Sequence, residues 1–214
     1  MKVLIIGANG NIGQQVAQKL KKSNHQPIAM LRKPEQQATF AEKGINTVIA
    51  DLEEDFQHAY KGIDAVIFTA GSGGHTSDEK THLIDRQGAK KAIDLAIKNK
   101  IDRFVMVSSM GSGQSQENWP KDLIPYLQAK TDADEHLLHS GLNYTILMPG
   151  TLTDKSATNN ITLSSDLEQK GKTVPRTDVA TVITKVIDHP NAYEKSFEFV
   201  SGETPIDTAL QQIA

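Results

Sequence analysis

Seven residues near the start of the chain, Gly7-Ala8-Asn9-Gly10-Asn11-Ile12-Gly13, form the first pattern with chemical meaning. They stand where an apolar run ends and a helical pattern begins. At such a junction the chain must turn tightly, let backbone approach a ligand and pack the helix close to the strand, and each task favours glycine. A helix opening there presents unpaired N–H groups and a partial positive charge, which suits the diphosphate of a dinucleotide. Gly7, Asn9, Gly10, Asn11, Ile12 and Gly13 are therefore the expected phosphate-binding residues. The second apolar run ends in Leu31-Arg32-Lys33. NAD-binding units usually place a carboxylate at that point, where it accepts hydrogen bonds from the ribose hydroxyls. A guanidinium instead offers a fork of donors to the additional phosphate of NADP. Arg32 thus favours NADP over NAD, with a solvated loop end as the structural alternative for Arg32 and Lys33. Asp51, after the third run, is a residue type suited to capping a following helix.

The GxxGxxG spacing resembles that of the short-chain dehydrogenase/reductase superfamily, specifically its small atypical members with an NmrA-like or epimerase-like NAD(P)H-binding domain. The likeness spans nearly the whole chain. It implies that the cofactor is held by the turn residues, by Arg32, by Asp51 and Leu52, and by Thr69, Ala70 and Gly71, with Asp51 accepting from the adenine amino group. Tyr126-Leu127-Gln128-Ala129-Lys130 matches the superfamily's YxxxK pattern. One helical turn brings the phenol and the ammonium to the same face. The cation favours the phenolate and so eases proton exchange with a substrate oxygen. In the family the lysine also holds the nicotinamide ribose, which is the role implied for Lys130. The fifth apolar run ends in Val107-Ser108-Ser109-Met110-Gly111, where the family keeps a hydroxyl that bonds the reacting oxygen. Strand register selects Ser109 over Ser108 for that role. Pro149, Gly150 and Thr151 correspond to backbone that approaches the nicotinamide in relatives.

These residues need a scaffold, and the chain alternates the elements of one. Short apolar runs at residues 3–6, 28–31, 47–50, 65–69 and 103–107 read as strands buried on both faces of a parallel sheet. Between them, residues 11–22 place Ile12, Val16 and Leu20 on one helical face. Residues 79–98 do the same with Leu83, Ala89, Ile93 and Ile97. A helix over 124–139 and a sixth strand over 144–148 follow, then a break at Pro149-Gly150. Residues 151–175 are polar and rich in turn formers. A helix over 179–187, a strand over 197–200 and a terminal helix opening at Thr204-Pro205 complete the chain. The expected fold is α/β, a doubly wound parallel sheet of the NAD(P)-binding Rossmann kind. It is read as one domain over 1–214, with 151–176 and 197–214 contributing a small substrate-side cap.

Composition narrows the partners. The net charge of −3 is spread without basic runs, so the long-range field that draws in nucleic acid is missing, and a small-molecule substrate is expected. The absence of cysteine removes a disulfide framework, a thiolate nucleophile and a Cys-ligated metal. The opening residues run straight into an apolar strand and no run approaches membrane-spanning length, which points to a cytoplasmic protein without a membrane partner, monomeric or homodimeric. His136 and His139 share a helix face without a third ligand, so no metal site is expected. His75 in a glycine-rich loop, Trp119 before Tyr126, and Arg176 near Asp178 are secondary candidates for contacts with substrate or for structural roles. Three functions compete: an NADPH-dependent reductase of a small carbonyl or quinone-like compound, a sugar-nucleotide epimerase or dehydratase, and a non-catalytic NADP(H)-binding redox sensor of NmrA type. Fold alone does not separate them.

Overall fold

The computed structural model describes residues 1–73, 76–164 and 172–213. Its centre is a sheet in which six parallel strands carry the expected order. These are β1 (Lys2–Ile6), β2 (Gln26–Leu31), β3 (Asn46–Ile49), β4 (Ala65–Phe68), β5 (Arg103–Val107) and β6 (Asn143–Pro149). Three further strands, β8 (Asn160–Ser164), β10 (Lys195–Ser201) and β11 (Thr204–Pro205), extend it beyond β6; β7 (Thr151–Thr153) and β9 (Thr173–Pro175) make a separate two-stranded sheet. The order across the large sheet is β11-β8-β10-β6-β5-β4-β1-β2-β3. β10 runs parallel to β6, and β8 runs antiparallel to both β10 and β11. From β1 the chain winds outward to β3, then returns to place β4 on the other side. The crevice beyond the ends of β1 and β4 is therefore the switch point where ligands bind in open α/β sheets.

The helices are α1 (Asn11–Lys21), α2 (Gln37–Ala41), α3 (Asp78–Thr81), α4 (Ala89–Lys98), α5 (Ile124–Leu138), α6 (Arg176–Val186) and α7 (Ile206–Gln211), with a π-helical stretch, His82–Gly88, between α3 and α4. The apolar strands sort their side chains by alternation. Val3 and Ile5 join Val16, Leu20, Val179 and Ile183 on one face of the sheet, while Leu4 and Ile6 join Ala92, Ile93, Ala133 and Leu137 on the other. This two-sided burial is why the strands are short and uniformly apolar.

Three local expectations need correction. Ile97 is 44% exposed, and the buried face of α4 is Ala89, Ala92, Ile93 and Ala96. At about 100° per residue, each step of four drifts by about 40°, so two such steps from Ala89 carry Ile97 off the face. Second, the polar stretch 151–175 holds strands β7, β8 and β9; β8 alternates as a half-solvated antiparallel strand does, a pattern hidden by its flanking turn residues. Third, Thr204 and Pro205 pair with β8, and α7 begins at Ile206 with Pro205 in the capping position before it.

At the start of β5, buried Arg103 ties the sheet to α6. Its Nε donates to Ile187 O at 2.8 Å and Nη2 to Val186 O at 2.6 Å, capping the helix C-terminus with a cation. Its other bonds reach Asn143 O and Thr145 Oγ1, and its guanidinium lies 4.5 Å from the centre of the Tyr193 ring. Replacing Arg103 by Met would strip several buried acceptors of their donor. The expected loss is about 3 kcal/mol, or a thermal midpoint lowered by roughly 6–12 °C. Differential scanning calorimetry of R103M measures it.

Candidate cofactor and catalytic site

The β1–α1 turn is built so closely that side chains are excluded. A Cβ on Gly7, whose φ is +85°, would lie 2.5 Å from Ala70 N; a Cβ on Gly13 would lie 2.3 Å from Gly7 O. The turn is closed by Gly10 N donating to Gly7 O at 3.0 Å, and the first bond of α1 runs from Gln14 N to Gly10 O. The Gln14 side chain donates back to Asn9 O. No acidic residue occupies the first turn of α1, so nothing competes there with an anion.

A cavity of about 450 Å³ opens in front of this turn. Gly7, Asn9, Gly10, Arg32, Asp51, Leu52, Thr69, Ala70 and Gly71 all line it. Asn11, Ile12 and Gly13 do not; Ile12 packs on the core and Gly13 is buried, so these two build the turn from beneath, while Asn11 is exposed. Arg32 is exposed at the rim and makes no ion pair among the described residues. The neighbouring Lys33 takes no part in the lining, and its N–H donates to Gln36 Oε1. Asp51 is not a helix cap: its Oδ1 accepts from Glu53 N at 3.0 Å in a local turn. The next helical turn begins only at Gln57, where Asp55 supplies the accepting oxygen instead. Met30, Ile84, Gln36, Glu53, Ser72, Thr76 and Lys80 also line the cavity, with Lys80 Nζ 2.5 Å from Glu53 Oε1. The donor set fits a nicotinamide dinucleotide: a glycine cradle that a Cβ would fill, an unpaired guanidinium, and apolar walls from Met30, Leu52 and Ile84.

The second half of the site lies at the end of β5. Tyr126 is half-buried, and Lys130 Nζ sits 5.6 Å from the centre of its ring. The ammonium is buried, donates to Val107 O at 3.3 Å, and meets Asp85 Oδ1 at 3.1 Å. That last contact is electrostatic, without the direction of a hydrogen bond. Asp85 is itself wholly buried, and its Oδ2 accepts from Ser72 N at 2.9 Å. Burial alone would lower the basicity of Lys130. The charges of Tyr126, Asp85 and Asp134 outweigh it and hold the lysine above its ordinary range.

Of the paired serines, Ser108 turns inward. Its Oγ donates to Asp134 Oδ2 at 2.5 Å, and Ser112 Oγ donates to the same oxygen at 2.8 Å. Ser109 is half-buried, and its hydroxyl donates to Met110 O at 3.4 Å. Burial pushes the Asp134 carboxyl up to about 6, against the two serine hydrogen bonds and the Lys130 charge, which pull it down. The motif reading missed Asp85 and Asp134. Asp134 carries a signal, an acidic residue four places after Lys130 on the same helical face, whereas Asp85 carries none.

The remaining candidates have mainly structural partners. Gly150 N donates to Phe199 O, and a Cβ there would lie 2.8 Å from Val200 Cγ1, so sheet packing accounts for this glycine. Pro149 O accepts from Met110 N, and Thr151 N donates to Lys172 O. Trp119 Nε1 donates to Gly111 O at 2.8 Å, and the carboxylate of buried Glu198 accepts from Gly111 N at 2.9 Å, so the loop after β5 is fastened at both ends of one residue. Arg176 pairs with Asp154, and Asp178 instead accepts from Thr158 and Asn159. His136 meets Asp94 and His139 meets Glu135 O; among the described residues no three metal-ligating side chains converge. His75 lies outside the described residues. No described helix is long and apolar enough to cross a membrane.

Known proteins share both sequence and shape with this one. The sequence pattern of the NAD(P)H-binding family matches residues 7–190. Over the full length of both chains, an uncharacterized sugar epimerase of Bacillus subtilis (strain 168), YhfK, is 42% identical. The yeast (Saccharomyces cerevisiae) protein YMR090W is 33% identical over 100% of this chain and 99% of its own. A solved structure from Bacillus halodurans, provisionally described as an NAD-dependent epimerase/dehydratase, superposes with a TM-score of 0.96 at 43% identity, covering 99% of each chain. The oxidoreductase ylbE of Lactococcus lactis gives a TM-score of 0.87 at 28% identity, covering 100% of this chain and 96% of that one.

The buried Asp134 generates a pH test. Its folded value lies above that of a free carboxyl, so its contribution to stability is complete below about pH 4 and is lost as pH rises through about 6. An Asp134→Asn variant lacks this titration. Chemical denaturation across pH 4–7 is expected to show wild type losing ground to D134N by up to a few kcal/mol.

Proposed function

The chain belongs to the NAD(P)H-binding family, in keeping with its likeness to atypical short-chain dehydrogenase/reductases, and from the geometry of its site we propose that it is an NADP(H)-dependent oxidoreductase of a small carbonyl or quinone-like compound. The observation that carries this reading is the placement of Tyr126 beside a buried, charged Lys130, on the same Rossmann framework as the glycine-lined cavity with Arg32 at its rim. When bound, the dinucleotide supplies or accepts hydride at its nicotinamide ring.

The chain's own residues bind, orient and move a proton. Gly7, Asn9 and Gly10 let the diphosphate approach the turn, the opening of α1 holds it with backbone N–H groups, and Arg32 meets the adenosine phosphate that distinguishes NADP from NAD. Asp51 and Leu52 flank the adenine, and Thr69, Ala70 and Gly71 line the path toward the nicotinamide. Lys130 donates to Val107 O and pairs with Asp85 by charge, which leaves hydrogens free for a ribose hydroxyl. Its charge steadies the Tyr126 phenolate as the phenol passes its proton to the substrate oxygen, and Ser109 orients that oxygen. Ser108, engaged with Asp134, supports the floor beneath them.

A second reading draws on the epimerase name of the Bacillus subtilis relative. A sugar epimerase would employ the same tyrosine and lysine but regenerate its cofactor in each cycle. Cofactor that copurifies and survives dialysis, with no net oxidation of added NADPH, would favour that reading.

Two variants test the leading one. Arg32→Glu is expected to weaken NADPH binding by at least about tenfold while leaving NADH within about threefold, as read by calorimetric titration. Tyr126→Phe is expected to lower turnover of NADPH with a reactive aldehyde, ketone or quinone by roughly a hundredfold or more with NADPH affinity unchanged. Full activity in Y126F would overturn the proton-transfer role.

A further inference from the structure

Asp85 lies outside the YxxxK and glycine motifs, yet it touches both Lys130 and the loop that lines the cavity. The π-helical stretch His82–Gly88 inserts extra residues into the turn between α3 and α4, and such insertions often mark functional positions. The wide turn serves two halves of the site. Ile84 lines the cofactor cavity, while Asp85 enters the core with no exposed surface. One Asp85 oxygen accepts from the backbone of Ser72, the other faces Lys130, and a Cβ on Gly71 would lie only 3.4 Å from it.

We propose that Asp85 is a positioning residue that joins Lys130 to the cofactor-facing loop 69–72, so that the lysine's charge, its place behind Tyr126 and the loop's conformation are set together. The proposal rests on the reading of Tyr126 and Lys130 as the catalytic pair. Its physical basis is a charge count. The groups facing the Lys130 ammonium are Tyr126 and Asp134 from its own helix, Asp85 from the π-helical stretch and the Val107 carbonyl from β5. Asp134 Oδ2 is taken up by two serine hydroxyls, which leaves Asp85, 3.1 Å from the ammonium, as the carboxylate in direct contact with it. The same carboxylate holds Ser72, so a shift of either partner is felt by the other.

Four variants separate this role from simple packing. Asp85→Asn keeps an oxygen for Ser72 N but removes the charge. Asp85→Ala removes both, Lys130→Met removes the cation, and D85N/K130M removes the pair. Thermal unfolding is followed from pH 6 to 10 without cofactor, and NADPH affinity is measured by fluorescence titration. In D85N the buried ammonium loses its counter-charge, so Lys130 releases its proton at lower pH than an unfolded lysine does. A base lowered in the folded state gives stability at high pH and loses it as pH falls. The D85N midpoint should therefore fall several degrees below wild type near pH 7 and recover toward pH 10. The double variant, which removes the ammonium together with its partner carboxylate, should exceed D85N near pH 7 and lose the recovery toward pH 10. D85A should weaken NADPH binding at least tenfold, and D85N by no more than threefold, because the Ser72 contact survives in D85N. A D85N midpoint parallel to wild type at every pH, a double variant no more stable than D85N, or undiminished NADPH affinity in D85A would each overturn the proposal. Failure of wild type itself to bind NADPH would instead count against the functional reading, since the unfolding series needs no cofactor.

Discussion

The rest of the structure depends on the approach of two backbones at the switch point of the sheet. Gly7, at the end of β1, comes so near Ala70, beyond β4, that a single methyl group would force them apart, and Gly13 packs as tightly onto Gly7 from the first helix. Strand β1 lies hydrogen-bonded between β2 and β4, so its end cannot retreat from the crevice. The turn, the loop after β4 and the opening of α1 therefore form one rigid lip, and N–H groups that face the cavity are fixed before any ligand arrives. Preorganisation of this kind is what lets backbone dipoles bind an anion without paying again for order.

Behind that lip the structure tolerates something a core normally excludes, a group of ionisable side chains removed from water. Lys130, Asp85 and Asp134 are all buried, bounded by Ser108, Ser112 and the carbonyl of Val107. Such clusters contribute little net stability compared with apolar packing of the same volume. Their persistence beside Tyr126 is better explained by what a fixed charge does to a neighbouring proton than by what it adds to the fold. Arg103 makes a useful contrast. It is buried at the start of β5, the strand that leads to Ser108, yet its hydrogen bonds go to protein acceptors in β6 and at the end of α6, so its charge is spent on architecture.

The legibility of these features in the sequence follows from how local their causes are. Strands buried on both faces announce themselves as apolar runs, and the glycines of the turn are required by contacts that almost any side chain would violate, so both could be read from residue type and spacing. Arg32 could be read from its position after the second strand. The pairing of Lys130 could not, because its carboxylate partner is Asp85, 45 positions away and carried inward by a π-helical turn whose sequence, His82-Leu83-Ile84-Asp85-Arg86-Gln87-Gly88, has no signature distinct from an ordinary helix. The strands between residues 151 and 175 were hidden for a related reason. They are short, half-solvated and paired with distant partners, so turn formers dominate their composition. Asp51 illustrates an intermediate case: its residue type foretold a local cap, and the structure spends it on a turn two residues long because the next helical turn starts later.

Titration of the wild-type protein with NADPH and with NADH, each at low and at high ionic strength, bears most directly on the site. With a rigid glycine lip for the shared diphosphate and an exposed guanidinium for the extra phosphate, NADPH should bind about tenfold or more tightly than NADH at low salt. The gap should narrow as salt screens Arg32. Absence of binding by either dinucleotide at millimolar concentration, or tighter binding of NADH at both ionic strengths, would contradict the account.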